Sequence, residues 1–164
     1  MTQSNFEAFD RELFLSPFVS SFMNLPQKSA EMLRQHIEKV VELRNPDFEK
    51  IAVKFKQRNV RKHQYLLQEG NICNRDNFVV HGALRQYYVH DNKEMINQFA
   101  FENWWISDWA SMLNDTPTRF NIDALENSEV LQIDKSSIYS LFDEVPAFER
   151  FYRTIFQRAF VAQQ

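Results

Sequence analysis

Side chains that commonly do chemistry are present in this chain, but they are not spaced for it. The four histidines are His36, His63, His81 and His90. None are paired as His-x-His, and His36 falls in a helical stretch, so no three-ligand metal set forms. Cys73 is the one cysteine. It rules out an internal disulfide, and an iron–sulfur cluster needs several thiolates. A lone thiol is usually a small packing residue. Serine, histidine and aspartate all occur, with no elbow motif to join them as a nucleophilic triad. Two isolated glycines cannot build a phosphate loop. The expectation is therefore no enzyme and no metal, with a metal-dependent cupin-type enzyme as the least favoured reading. Binding chemistry remains. Trp104, Trp105 and Trp109 crowd one stretch, where they either stack on a planar ligand or fill a cavity.

Composition sets the frame for any such site. The 164 residues allow one domain, or one domain plus extra helices. Sixteen Phe and three Trp imply an aromatic core, an aromatic-lined pocket or a buried helical interface. A formal net charge of −3 gives no basic footprint for gripping nucleic acid directly. A single cysteine fits a reducing cytoplasm. No apolar run approaches the roughly 18 residues that span a bilayer, and the N-terminus lacks a basic-then-apolar secretory pattern.

The chain's two glycines, Gly70 and Gly82, each end a short apolar run. Glycine is favoured where the backbone turns through positive φ, so the pair marks the corners of a β-roll. Short β-prone runs surround them: Tyr65–Leu67, Phe78–Val80, Leu84–Val89, then a polar corner at Asp91-Asn92 and a return strand over Glu94–Phe101. Phe120, Ile122 and Ala124 alternate with Asn121 and Asp123, and Val130–Ile133 follows another turn. Many close-spaced short strands predict an antiparallel barrel or jelly roll. Before them, Leu33, Ile37, Val40 and Val41 recur at helical spacing from Ser29, the expected N-cap, to Leu43. Pro46 and Asp47 start a shorter helix. After the strands, Asp134 caps a turn carrying Ile138, Leu141 and Phe142, and Pro146 opens the last helix. There Phe148, Tyr152, Ile155, Ala159 and Ala162 form a heptad seam, widened by Phe151, Phe156 and Phe160. That helix shows no stop signal by Gln164. Residues 1–25 carry scattered apolar groups to which the sequence assigns no role.

The order of elements, with Leu66-Leu67-Gln68-Glu69-Gly70, Phe78-Val79-Val80-His81-Gly82-Ala83-Leu84-Arg85, the run Gln98–Asp108 and Ile122-Asp123-Ala124-Leu125-Glu126, resembles the sensor domain of Crp/Fnr transcription regulators. That domain is shared with cyclic-nucleotide-binding domains generally. The Phe101-Glu102-Asn103-Trp104-Trp105 stretch is similar to a subgroup common in Bacteroidetes. The resemblance covers about residues 29 to 164. It implies an α+β, mainly β fold: a double-stranded β-helix or jelly roll with N-terminal helices and a long C-terminal dimerisation helix. It also implies an effector in the roll and, beyond the last helix, a helix-turn-helix that reads DNA. Nothing after Val145 has that pattern, so the chain resembles the sensing half of a regulator. The resulting division is an extension over 1–28, helical lead-in and roll over 29–145, and the dimerisation helix from 146 to 164.

The resemblance carries over residue by residue. Asp108 takes the position of the family's ribose-binding glutamate, one methylene shorter. Thr118 stands where the phosphate-binding arginine belongs, with Arg119 beside it. Ser107 replaces the glycine before the carboxylate. A one-residue shift in a strand turns a side chain to the opposite face, so Arg119 is expected to point away from a phosphate. A threonine hydroxyl cannot replace a bidentate guanidinium. Cyclic AMP is therefore doubtful as effector. Gln163 and Gln164 fall where the family's catabolite activator places base-reading hydroxyls. For Asp108 a turn or helix-cap role stands beside a ligand contact; for Arg119, a solvated or dimer-facing cation. The effector-binding candidates are thus Ser107, Asp108, Thr118, Arg119, Trp104, Trp105 and Gln163. The expected homodimer interface is Phe148, Tyr152, Ile155, Phe156, Ala159 and Phe160. Two readings follow: the sensing domain of a cytoplasmic DNA-binding regulator, or a stand-alone module acting by protein contact.

Overall fold

A computed structural model describes residues 24–162. The extension over 1–28 lies mostly outside that range, as do Gln163 and Gln164. The chain divides into two compact units, one of residues 56–136 and one of residues up to 55 together with 137–164.

The second of these is helical. It contains α1 (Gln27–Glu38), α2 (Asn45–Ala52), most of α4 (Lys135–Glu144) and α5 (Pro146–Ala162). α1 starts two residues before the expected N-cap: Pro26 caps it without a side-chain bond, and Ser29 is buried inside the helix. It also ends at Glu38, short of Leu43. Pro46 sits in the first turn of α2, as its fixed φ favours. The buried face of α5 holds Ala147, Phe148, Phe151 and Tyr152. These rings interlock edge to face: Phe148 with Tyr152 at 5.0 Å, Phe142 with Tyr152 at 5.5 Å, and His36 with Phe151 at 5.8 Å. Such pairs add to plain area burial.

The first unit is the β-roll. Its strands are β1 (Phe55–Val60), β2 (Tyr65–Leu67), β3 (Arg75–His81), β4 (Leu84–His90), β5 (Lys93–Ala100), β6 (Trp105–Ile106), β7 (Asn121–Ala124) and β8 (Ser128–Asp134), with the short helix α3 (Trp109–Asn114) between β6 and β7. They form two four-stranded sheets, ordered β1-β8-β3-β6 and β2-β7-β4-β5. The strands that pair do so antiparallel, so the jelly-roll expectation holds. Three elements go beyond the sequence reading: β1, β6 and α3.

Alternation explains the sheet faces. Leu84 and Gln86 are buried opposite Ala124 and Ile122, and Arg85 and Tyr87 lie on the other face. The β4–β5 hairpin turns at Asp91 and Asn92, both at positive φ (50° and 60°), as a two-residue turn matched to strand twist requires. Gly82 turns at φ +93°, where a Cβ would come within 2.8 Å of the Ser128 backbone; Gly70, at φ +89°, has open space around it. Both glycines are demanded by conformation, and Gly82 by close approach as well.

Candidate ligand-binding site

The residues singled out at 107, 108 and 118 come together, and they bond to one another. Asp108 leaves β6 with extended backbone and is the N-cap of α3. Its Oδ1 accepts from the Ser111 N–H at 3.1 Å, a capping bond. Its Oδ2 accepts from the Thr118 hydroxyl at 2.6 Å. Thr118 is buried, and its Oγ1 also accepts from the Phe120 N–H at 3.0 Å. Thr118's own main chain is fastened to the Gly70 corner: its N–H donates to Asn71 and its carbonyl accepts from Gly70.

The neighbouring groups are engaged as well. Ser107 donates its hydroxyl to the buried carboxylate of Asp76 at 2.9 Å, and its carbonyl accepts from the Gln86 amide at 3.1 Å. Gln86 in turn accepts from Asn97 at 2.6 Å. Ser111 Oγ accepts from the Cys73 N–H at 2.9 Å and donates to the Thr116 carbonyl at 2.6 Å. Asp76, Gln86 and Ser111 were not legible as members of this cluster. Only Asp108 carried a local signal, an aspartate directly before a short apolar helical run.

Charge follows the same pattern. Two buried carboxylates, Asp76 and Asp108, flank Ser107. A doubly paired cation of the roll is Arg85, on the other face of β4. It binds Asp123 at 2.8 Å and Glu94 at 2.6 Å and lies over the Tyr87 ring. The Asp123 hydrogen bond holds this guanidinium above its ordinary range. Burial, followed by the hydrogen bond to Tyr65, raises the Tyr87 phenol. Cys73 is buried, and burial pushes its thiol up, which keeps it protonated. Among the described residues no cluster of three or more His, Cys, Asp or Glu is arranged to hold a metal.

The other candidates disperse. Arg119 is exposed, and its guanidinium lies over Tyr88 at 4.9 Å and Phe120 at 5.0 Å. No hydrogen bond or ion pair joins it among the described residues. Trp105 is half-buried and packs on Phe78, its partner across the β3–β6 pair, with ring centroids 5.1 Å apart. Trp104 is 52% exposed and meets Phe101 edge to face. Gln163 lies outside the described residues.

The expected dimer seam also splits. Phe148 and Tyr152 are fully buried within the chain, so they belong to its core and not to a surface between chains. Ile155 is half-buried, and Phe156, Ala159 and Phe160 are exposed.

No curated protein sequence matches this chain. Among solved structures the fold is similar to the Thermus thermophilus catabolite activator protein (TM-score 0.65, 15% identity, covering 74% of this chain and 57% of that one). It is likewise similar to a cyclic nucleotide-binding domain from Methylobacillus flagellatus (TM-score 0.67, 15% identity, 82% and 77%). A third is the sensor domain of the transcriptional regulator DNR from Pseudomonas aeruginosa (TM-score 0.64, 12% identity, 78% and 86%). The chain spans about half the length of the Thermus protein. Identities this low establish the fold alone. The sequence pattern of the cyclic nucleotide-binding domain, however, matches residues 57–145, more than half of the chain, and this protein therefore belongs to the cyclic nucleotide-binding domain family.

Proposed function

We propose that this chain is the effector-sensing, dimerising domain of a Crp/Fnr-type transcription regulator, with a cyclic-nucleotide site that has lost its ligand chemistry. It acts in the cytoplasm by binding, without catalysis, and DNA is contacted through a further domain. The observation that carries the reading is the Thr118–Asp108 hydrogen bond. A nucleotide would need Asp108 free to accept from ribose and a cation placed for the phosphate. Here both Asp108 oxygens are engaged, and the residue at the arginine position is the hydroxyl that engages one of them. Asp76 beside Ser107 would repel an anion further. The exposed end of α5, with Phe156, Phe160 and Val161, supplies an apolar face for a second copy. An effector of other chemistry would then bias that helix pair through its differential affinity for two arrangements.

A melt tests the site. Cyclic AMP at about 100 μM should leave the melting temperature unchanged, whereas a ligand present at 100-fold excess over its Kd would add ~2.7 kcal/mol. A clear upward shift would show that the Asp108–Thr118 pair opens for a nucleotide and would sink the degenerate-site reading.

A further inference from the structure

β5 forms one edge of the β2-β7-β4-β5 sheet, and among the described residues no strand covers it. β5 pairs with β4 alone among the described residues, so its outer row of N–H and C=O groups has no strand beside it. Edges of this kind are usually blunted by charge, proline or brevity. β5 is eight residues long, and after Lys93 and Glu94 it has neither charge nor proline from Met95 to its end at Ala100. Met95, Ile96, Phe99 and Phe101 are each more than two-fifths exposed.

The register of the strand says what fits against it. Pairing with β4 puts Ile96 and Phe99 on the face of Arg85 and Tyr87, and Met95, Gln98 and Ala100 on the face of Leu84 and Gln86. A bulge at Asn97 interrupts the alternation, and the Asn97 amide reaches the Gln86 side chain, so Asn97 and Gln98 share a face. Read from Met95 to Ala100, the faces are therefore symmetric about the Asn97–Gln98 bond. An antiparallel second β5 whose two-fold axis passes through that bond matches every face. Ile96 then stands opposite Phe99 of the other copy, Met95 opposite Ala100, and Asn97 opposite Gln98. Sliding this run by one or two residues sets Ile96 or Phe99 against a position of the other face. Charge agrees at the ends, where Lys93 comes to the end of the run that carries Glu102 on the other copy.

We infer that β5 is a homotypic edge-pairing surface: two copies of this chain join their sheets across antiparallel β5 strands in the register Ile96–Phe99. Main-chain bonds supply the attraction, and the apolar pair, made twice by symmetry, sets the register. The inference is independent of the α5 helix pair.

Disulfide trapping in the full chain tests both partner and register. The variant Ile96→Cys/Phe99→Cys should form a covalent dimer under oxidised glutathione. It should do so about ten times faster than either single variant, because only directly opposed residues lie within disulfide reach without backbone movement. Within one copy, and between like residues of two copies, the offset of three positions is about 10 Å. The parent chain, with Cys73 buried, is the control. The same comparison in a Phe160→Asp background removes any contribution of α5, and the ratio should persist. Equal rates for the double and single variants would overturn the register. No covalent dimer from the double variant would overturn the second copy as occupant.

Discussion

The cassette around Asp108 and the edge at β5 lie in one roll and have opposite chemistry. In the cassette, buried polar side chains each have an intramolecular partner: Asp108 with Ser111 and Thr118, Asp76 with the half-buried Ser107, Gln86 with the exposed Asn97. At the edge, apolar side chains are exposed beside main-chain groups that meet no strand among the described residues. In the cassette both Asp108 carboxylate oxygens already accept hydrogen bonds from the chain itself. Most proteins close their edges, yet among the described residues of this chain nothing pairs with the outer side of β5. On the proposed reading, a carboxylate shorter by one methylene and a hydroxyl in place of a guanidinium turn a binding pair into the structural pair Asp108–Thr118.

Breaking the cassette should therefore cost stability and not affinity. Asp108→Ala removes the α3 cap, worth about 1 kcal/mol, and leaves the Thr118 hydroxyl buried without its acceptor, worth a further 1–3 kcal/mol. A loss of about 3 kcal/mol in urea denaturation is expected. In the double variant Asp108→Ala/Thr118→Val the two losses should not add, with a coupling of about 1 kcal/mol or more. Strict additivity would mean that the 2.6 Å bond carries nothing.

Some of this was legible in the sequence. Tyr65–Leu67 and the Asp91-Asn92 hairpin turn fall where local propensity places them, because turn chemistry acts over a few residues. β1 was not legible: Lys56-Gln57-Arg58-Asn59 is polar throughout, and the strand exists at a sheet edge with only Phe55 and Val60 buried. The heptad pattern of α5 showed an apolar face but not what covers it. Phe148 and Tyr152 are covered by their own chain, while Phe160 is not. The types of Asp108 and Thr118 could be read, but their bond could not, since it depends on a loop returning α3 to the Gly70 corner.

The helical unit offers a reference outside the comparison, and it responds to protons. Burial, with Lys39 nearby as the smaller cause, lowers His36 from 6.5 to about 4. Its ring lies edge-on to Phe151. The folded state therefore resists a proton that the unfolded chain accepts. The stability from this neutral imidazole is present above pH 6.5 and is lost as pH falls from about 6.5 to about 4. Because the ring is only partly buried, the loss should be about 1–2 kcal/mol. His36→Gln should remove that part of the slope between pH 7.5 and 4.5. An identical slope in parent and variant would refute it.

The smallest effect on folding belongs to the edge, and it sharpens the comparison most. Phe99 is 43% exposed and stacks on Phe101 at 6.4 Å. Truncating a core phenylalanine costs about 3–5 kcal/mol, but a side chain this open forfeits little on replacement. Phe99→Lys should shift the urea midpoint by no more than about 0.5 kcal/mol in stability. Lysine also supplies the charge with which natural edges deter a second strand. Self-association, followed by light scattering as concentration rises, should therefore fall while the fold stays intact. Asp108→Ala should do the reverse, weakening the fold with the β5 register unchanged. If Phe99→Lys destabilised the roll as much as Asp108→Ala, the aromatic edge would be part of the core, and the contrast between a closed cassette and an open edge would collapse.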